Sequence, residues 1–181
     1  FYNNTILAET VAAGTSNTHW RNNLILGENA APAIFSVTTF TQYTSSDYNG
    51  FRPNRRVDAS FRWSAPRAGR MADYNRLGYT AELEAREFRT LEEFARATGQ
   101  DRNSVLVDYD VFVNVRRLDA QDRATVQKVY KAEAFDFGLR PNAAAVDRGV
   151  ALANVTDGFA GRAPDLGALE QGQAPPQYGP R

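Results

Sequence analysis

Tyr2-Asn3-Asn4-Thr5-Ile6-Leu7 returns as Trp20-Arg21-Asn22-Asn23-Leu24-Ile25-Leu26, with the two Asn-Asn pairs nineteen residues apart. A looser copy follows at Ser46-Asp47-Tyr48-Asn49-Gly50-Phe51. Each copy is an Asn-rich corner followed by a short apolar run. A tight bend between strands needs a residue that tolerates left-handed backbone, and Asn does so better than most. Stacked Asn amides can also hydrogen-bond to one another along a ladder. A period near twenty with a fixed corner predicts a coiled, all-β solenoid. Nineteen residues fit three short strands and three corners, with coils stacked at roughly 4.8 Å. In that register Asn4 and Asn23 occupy equivalent corners, and Ile6 and Ile25 stack inside.

Outward from the repeat, residues 1–50 read as terminal coils. Ala33-Ile34-Phe35-Ser36-Val37-Thr38-Thr39-Phe40 is a further strand candidate, rich in β-branched and aromatic residues. Gly14-Thr15-Ser16-Asn17 and Gly27-Glu28-Asn29 are turn compositions. Residues 51–104 change character and read as a long excursion. Between Phe51 and Tyr79 seven Arg (52, 55, 56, 62, 67, 70, 76) face Asp58 and Asp73, interleaved with Phe51, Phe61, Trp63, Tyr74 and Tyr79. Thr90-Leu91-Glu92-Glu93 is a capping box that predicts a short helix over 91–98, stopped by Gly99. Val105-Leu106-Val107 and Val111–Val115 resume strand character, the second with Val111, Val113 and Val115 on one face. Ala124–Tyr130 is ambiguous between helix and strand. Residues 105–170 read as last strands and a C-terminal cap, and 171–181 as a tail.

Composition sets limits. Apolar content of 43% permits a packed core. The formal net charge of zero gives no general pull toward nucleic acid or membrane. No Cys is present, which removes disulfides, thiolate metal sites and Cys nucleophiles. No run reaches the ~18 apolar residues of a membrane span. The chain opens at Phe1 and its one Met is Met71, so Phe1 is expected to lie inside a longer protein, with any signal peptide out of view.

Phe135-Asp136-Phe137-Gly138-Leu139-Arg140-Pro141-Asn142, Ala145-Val146-Asp147-Arg148-Gly149 and Ala163-Pro164-Asp165-Leu166-Gly167-Ala168-Leu169-Glu170 resemble the closing segment of bacterial right-handed parallel β-helix proteins, the pectate-lyase-like superfamily. Such segments carry Pro-Gly-Ser-Pro-Ala-Ile-Asp-x-Gly and end in Pro-Asp-Ile-Gly-Ala-Tyr-Glu. Asn142, Ala144, Val146 and Leu169 replace the usual Gly, Pro, Ile and Tyr. The stretch from Leu91 to Asp110 also looks like what precedes that segment. The resemblance implies an all-β right-handed parallel β-helix: terminal coils, an irregular excursion with one short helix, and a C-terminal cap. It further implies a bacterial protein, secreted or on the cell surface, that acts on or binds polysaccharide. The alternative is a non-catalytic scaffold or cap. Upstream β-helix coils of the same protein are the implied partners, and the family's catalytic groups would lie on them.

No catalytic constellation is legible. Asp108 and Asp110 would share a face if they lay on a strand, as an acid–base pair requires, but a charged strand edge or turn is the favoured reading. Pro53 and Arg56 have the spacing of the lyase Arg-x-Pro-x-x-Arg motif, yet Phe51 occupies its first position. His19 is the single histidine, with no orienting partner in sight. Asp101-Arg102-Asn103 lacks the Gly that a calcium loop needs, since Leu106 stands there. Catalytic residues, metal and cofactor are therefore all expected to be none. The binding candidates are Tyr48, Arg52, Arg55, Arg56 and Trp63. Arg can take a uronate carboxylate through two parallel hydrogen bonds, and Tyr or Trp can stack on a sugar face. Pairing of these Arg with Glu82, Glu84, Glu87, Glu92 and Glu93, in a neutral packed loop, is the competing reading.

Overall fold

A computed structural model describes residues 1–7, 11–27, 33–53, 59–72, 78, 82–117 and 122–175. The strands among them fall into four small sheets. The first runs β1 (Thr5–Ile6), β4 (Leu24–Ile25), β7 (Gly50–Phe51) and β10 (Val105–Leu106), all parallel. The second runs β2 (Val11–Gly14), β5 (Phe35–Thr38) and β8 (Phe61–Pro66) in parallel, then β9 (Leu83–Phe88) antiparallel to β8. The third pairs β3 (His19–Arg21) with β6 (Ser45–Asp47) in parallel. The fourth is an antiparallel pair, β11 (Phe112–Asn114) with β12 (Asp136–Leu139).

The local repeat register is observed. Thr5 pairs with Leu24 and Ile6 with Ile25. Asn4 donates from N and Nδ2 to Asn23 Oδ1 at 3.1 and 2.8 Å. Asn23 does the same to Asn49 Oδ1, at 3.0 and 2.9 Å. Asn49 Nδ2 then reaches Asp101 Oδ1 at 3.0 Å.

The expected fold, a single right-handed parallel β-helix, is nevertheless overturned. The sheets are several, small and of mixed sense, and none closes or runs on as a solenoid. A solenoid needs a constant period, and the column does not keep one. Its steps are 19, 26 and 52 residues. In the longest step β9 turns back antiparallel on β8 and a helix intervenes.

That helix, α1, spans Leu91–Thr98. Thr90 accepts from Glu93 N, and the Glu93 carboxylate returns to the Thr90 N–H, completing the capping box. Gly99 takes the left-handed stop at φ 76°. Its buried residue, Phe94, packs on Phe35, Phe61, Trp63 and Phe88. Thr90→Ala is expected to lower stability by about 1 kcal/mol in a denaturant titration, with most of the loss retained in the double variant Thr90→Ala/Glu93→Ala.

Leu24 and Ile25 point to opposite sides of β4, as alternation requires. Ile25 joins Phe35, Phe51, Phe61 and Phe94 in one core. Leu24 joins Val107, Val111, Phe112 and Leu166 in another. The Val111–Val115 reading needs correction. Val111 ends a 3-10 turn, Val111 and Phe112 are buried, and Val113 is exposed. The ambiguous stretch begins as a short helix, α2 (Arg123–Val126), capped by Asp122.

The C-terminal segment docks on Asn22. Asn22 Nδ2 donates to Val150 O at 2.9 Å, and its Oδ1 accepts from Val150 N at 2.8 Å. Gly167 N donates to Asn22 O at 2.7 Å. Gly167 sits at φ 95°, and a Cβ there would lie 2.7 Å from Leu24 Cδ1, so backbone conformation and close approach both call for Gly. Asp165 accepts from Asp147 N and Gln171 N, while Asp147 accepts from Arg162 N and Ala163 N. These two backbone bonds hold the Asp147 carboxyl below its usual range. The Asp-x-Gly and Pro-Asp-x-Gly motifs are thus turn-locking devices.

Candidate ligand-binding cleft

The sequence-predicted binding residues do not form one site. Arg52 is buried, with its Nε 2.5 Å from Asp108 Oδ1 and its guanidinium 5.4 Å from the Tyr109 ring centre. Trp63 is 4% exposed and packs on Phe94, so its faces are not offered to a sugar. Tyr48 is a corner residue at φ 55°, and its carbonyl accepts from Asn22 N. Arg55 and Arg56 lie outside the described residues. Asp108 caps the 3-10 turn at Tyr109–Val111 instead of sharing a strand face with Asp110. His19 Nδ1 lies 3.0 Å from Ser45 Oγ, a strand-edge contact. Of the Arg expected to pair with the acidic run, Arg52 pairs with Asp108 instead, while Arg62 lies 3.7 Å from Glu87 on exposed side chains. Glu93 is engaged in the capping box.

A different set of groups converges on a cleft of about 300 Å³. Its floor is the chain after β5, its walls are the end of β8 and the start of β9, and the C-terminal end of α1 closes one side. Thr39, Thr41 and Thr44 are fixed by their own bonds. Thr39 and Thr44 hydroxyls are 2.8 Å apart, and Thr41 Oγ1 donates to Asn17 Oδ1 at 2.7 Å. Gln42 Nε2 holds the Pro66 and Arg67 carbonyls at 2.6 and 3.0 Å. Gln100 Oε1 accepts from Ser46 N at 2.8 Å.

Two cations border the cleft. Arg86 lies opposite Trp63 in the β8–β9 register. Its Nη1 donates to Ala97 O at 3.1 Å, and its guanidinium lies 5.9 Å from the Phe88 ring centre. Its Nε is buried and has no acceptor. Arg67 is exposed. Arg52, Arg62 and Arg162 form ion pairs, and among the described residues neither Arg67 nor Arg86 has an acidic partner within 4.0 Å. A buried guanidinium N–H without an acceptor is costly until something accepts it. Glu84, exposed, lines the same cleft, so the arrangement suits a ligand that carries hydroxyls beside its anionic group.

The signal for Arg86 was present in the sequence. In Glu84-Ala85-Arg86-Glu87-Phe88, alternation puts Glu84, Arg86 and Phe88 on one strand face. Reading 51–104 as an irregular excursion hid that strand.

Among the described residues no three His, Cys, Asp or Glu side chains are placed to hold a metal, and no helix is long and apolar enough to cross a membrane. Comparison with protein-family models, curated proteins and solved structures finds no match.

Proposed function

We propose that this chain binds an acidic polysaccharide, non-catalytically, with one uronate residue seated in the Arg86 cleft. The observation that carries this reading is a cleft lined by Arg67 and Arg86, neither with an acidic partner, together with Thr39, Thr41, Thr44 and Gln42. A uronate supplies a carboxylate for Arg86 and Arg67, and ring hydroxyls for Thr41, Gln42 and Glu84. The cleft volume lies at the small end of ligand sites, enough for one or two sugars and not a long chain. The reading accords with a secreted or cell-surface protein, where such polymers occur.

Calorimetric titration with trigalacturonate tests it, with galactotriose and inorganic phosphate as controls. Trigalacturonate should bind and galactotriose should not. Binding should weaken as salt rises, because exposed charge contacts are screened over about 10 Å at 0.1 M. Arg86→Met keeps an unbranched apolar side chain and removes the charge, together with the guanidinium's contact with Phe88. It should weaken binding by about tenfold or more, the scale of one charge-assisted hydrogen bond. Equal affinity for the acidic and neutral trisaccharides, or undiminished binding by a folded Arg86→Met variant, would exclude the proposal. Phosphate binding as tight as trigalacturonate would replace it with a simple anion site.

A further inference from the structure

Glu84 borders the cleft with its charge uncommitted. Its side chain is exposed, and among the described residues its carboxylate has no ion pair. In the β8–β9 register Glu84 lies opposite Ala65 and Arg86 lies opposite Trp63. Residues two apart on a strand share a face and stand roughly 7 Å from each other along it. Both side chains line the cleft, and so does the small Ala65. One strand face therefore presents a cation and, one step along, an anion. An unpaired carboxylate beside Arg67 and Arg86 weakens the pull of the cleft on any anion. It weakens that pull most for a ligand whose negative charge extends to the Glu84 end.

We infer that Glu84 is the specificity-determining residue of this cleft, selecting a uronate whose ring hydroxyls are free and rejecting the same sugar with sulfate on them. The inference rests on the reading above, in which a uronate carboxylate meets Arg86. The spacing of roughly 7 Å between alternate strand residues is comparable with the span of one pyranose ring, from its carboxylate to the hydroxyls on the far side. With the carboxylate at Arg86, those hydroxyls reach Glu84. An ionised carboxylate only accepts, and its two oxygens can take two neighbouring O–H groups. A sulfate in place of a hydroxyl removes the donor and sets like charges side by side. Both changes disfavour the modified sugar, the first by leaving an acceptor unmet and the second by repulsion. The discrimination thus comes from a repulsive group as well as an attractive one.

Calorimetric titration of the intact protein with trigalacturonate and with its O-sulfated derivative, at one ionic strength, tests this. A plain cationic patch ranks ligands by charge and takes the sulfated derivative more tightly. The wild type should show the reverse order, favouring the unsulfated trisaccharide by at least about tenfold, the scale of one charge-assisted hydrogen bond. Glu84→Asp keeps the charge and should keep the order. Glu84→Gln should weaken trigalacturonate and tighten the sulfated ligand, so that the preference shrinks by about tenfold or inverts. Circular dichroism checks that both variants are folded, as the exposure of this side chain leads one to expect. A wild-type preference for the sulfated ligand, or a preference that Glu84→Gln leaves unchanged, overturns this inference and leaves the uronate reading standing. No binding of trigalacturonate to the wild type removes both.

Discussion

Asn49→Leu is expected to remove most of the stability of this protein. Asn49 is wholly buried. Its Nδ2 lies 3.0 Å from Asp101 Oδ1, 3.0 Å from Ser46 Oγ, 3.1 Å from Asp47 O and 3.2 Å from Trp20 O. Its Oδ1 accepts from Asn23 N and Nδ2. Leu has the same number of side-chain heavy atoms but is bulkier, so overpacking at this wholly buried position adds to the polar loss. The substitution leaves the Asn23 amide and backbone N–H without their acceptor and takes a donor from the buried Asp101. A buried polar group left unpaired costs about 1–3 kcal/mol. Two or three such groups come to roughly 5 kcal/mol, comparable with the whole stability of a domain of this size. Trp20 and Trp63 are both buried and report on the fold by fluorescence. In urea, the variant should unfold at a far lower midpoint or show no cooperative transition. A loss below about 1 kcal/mol would mean that the column is a by-product of backbone pairing.

The second large effect is a stability that falls as pH rises from about 4 to about 6. Asp101 is 2% exposed. Burial, partly offset by hydrogen bonds from Asn49, Ser104 and Ser46, pushes its carboxyl up to about 6. In the unfolded chain it titrates near 3.9. Between these values the folded protein holds more protons than the unfolded one, so stability declines with rising pH. The contribution is fully present below the unfolded value and lost as pH passes through about 6. Two pH units correspond to something on the order of 3 kcal/mol. Asp147 and Asp122 have depressed values and act in the opposite sense, losing stability in acid. The informative quantity is therefore the difference between wild type and Asp101→Asn, which keeps an acceptor for Asn49 and Ser104. That difference should grow in favour of the variant from pH 4 to pH 7. Parallel stability curves for the two proteins would show that Asp101 titrates normally.

The sequence made the short-range features legible because each is specified within a few residues. The Asn-Asn corners and their apolar runs fix the pairing of Ile6 with Ile25. Thr90, Glu93 and Gly99 fix both ends of α1. The overall architecture was not legible, because the column steps lengthen from 19 to 52 residues and the added chain folds back antiparallel. Nor was the site. Arg52 meets an Asp 56 positions away, and that pairing turned a candidate ligand contact into a buried ion pair. Trp63 faces inward because Phe94, on a helix that follows it by three decades of sequence, needs a partner. Arg86 became a candidate when β9 placed it opposite Trp63 and left its Nε without an acceptor.

The central functional claim is that the Arg86 guanidinium reads the anion, and the Nε–Hε signals of the arginines, resolved by NMR during a titration, test it atom by atom. With trigalacturonate, the Arg86 Nε–Hε signal should move downfield and saturate, with a smaller change at Arg67, while the Arg52 signal, held by Asp108, stays in place. Galactotriose should move none of them. An Arg86 signal that stays fixed while trigalacturonate binds, or that moves equally with the neutral trisaccharide, would contradict the account.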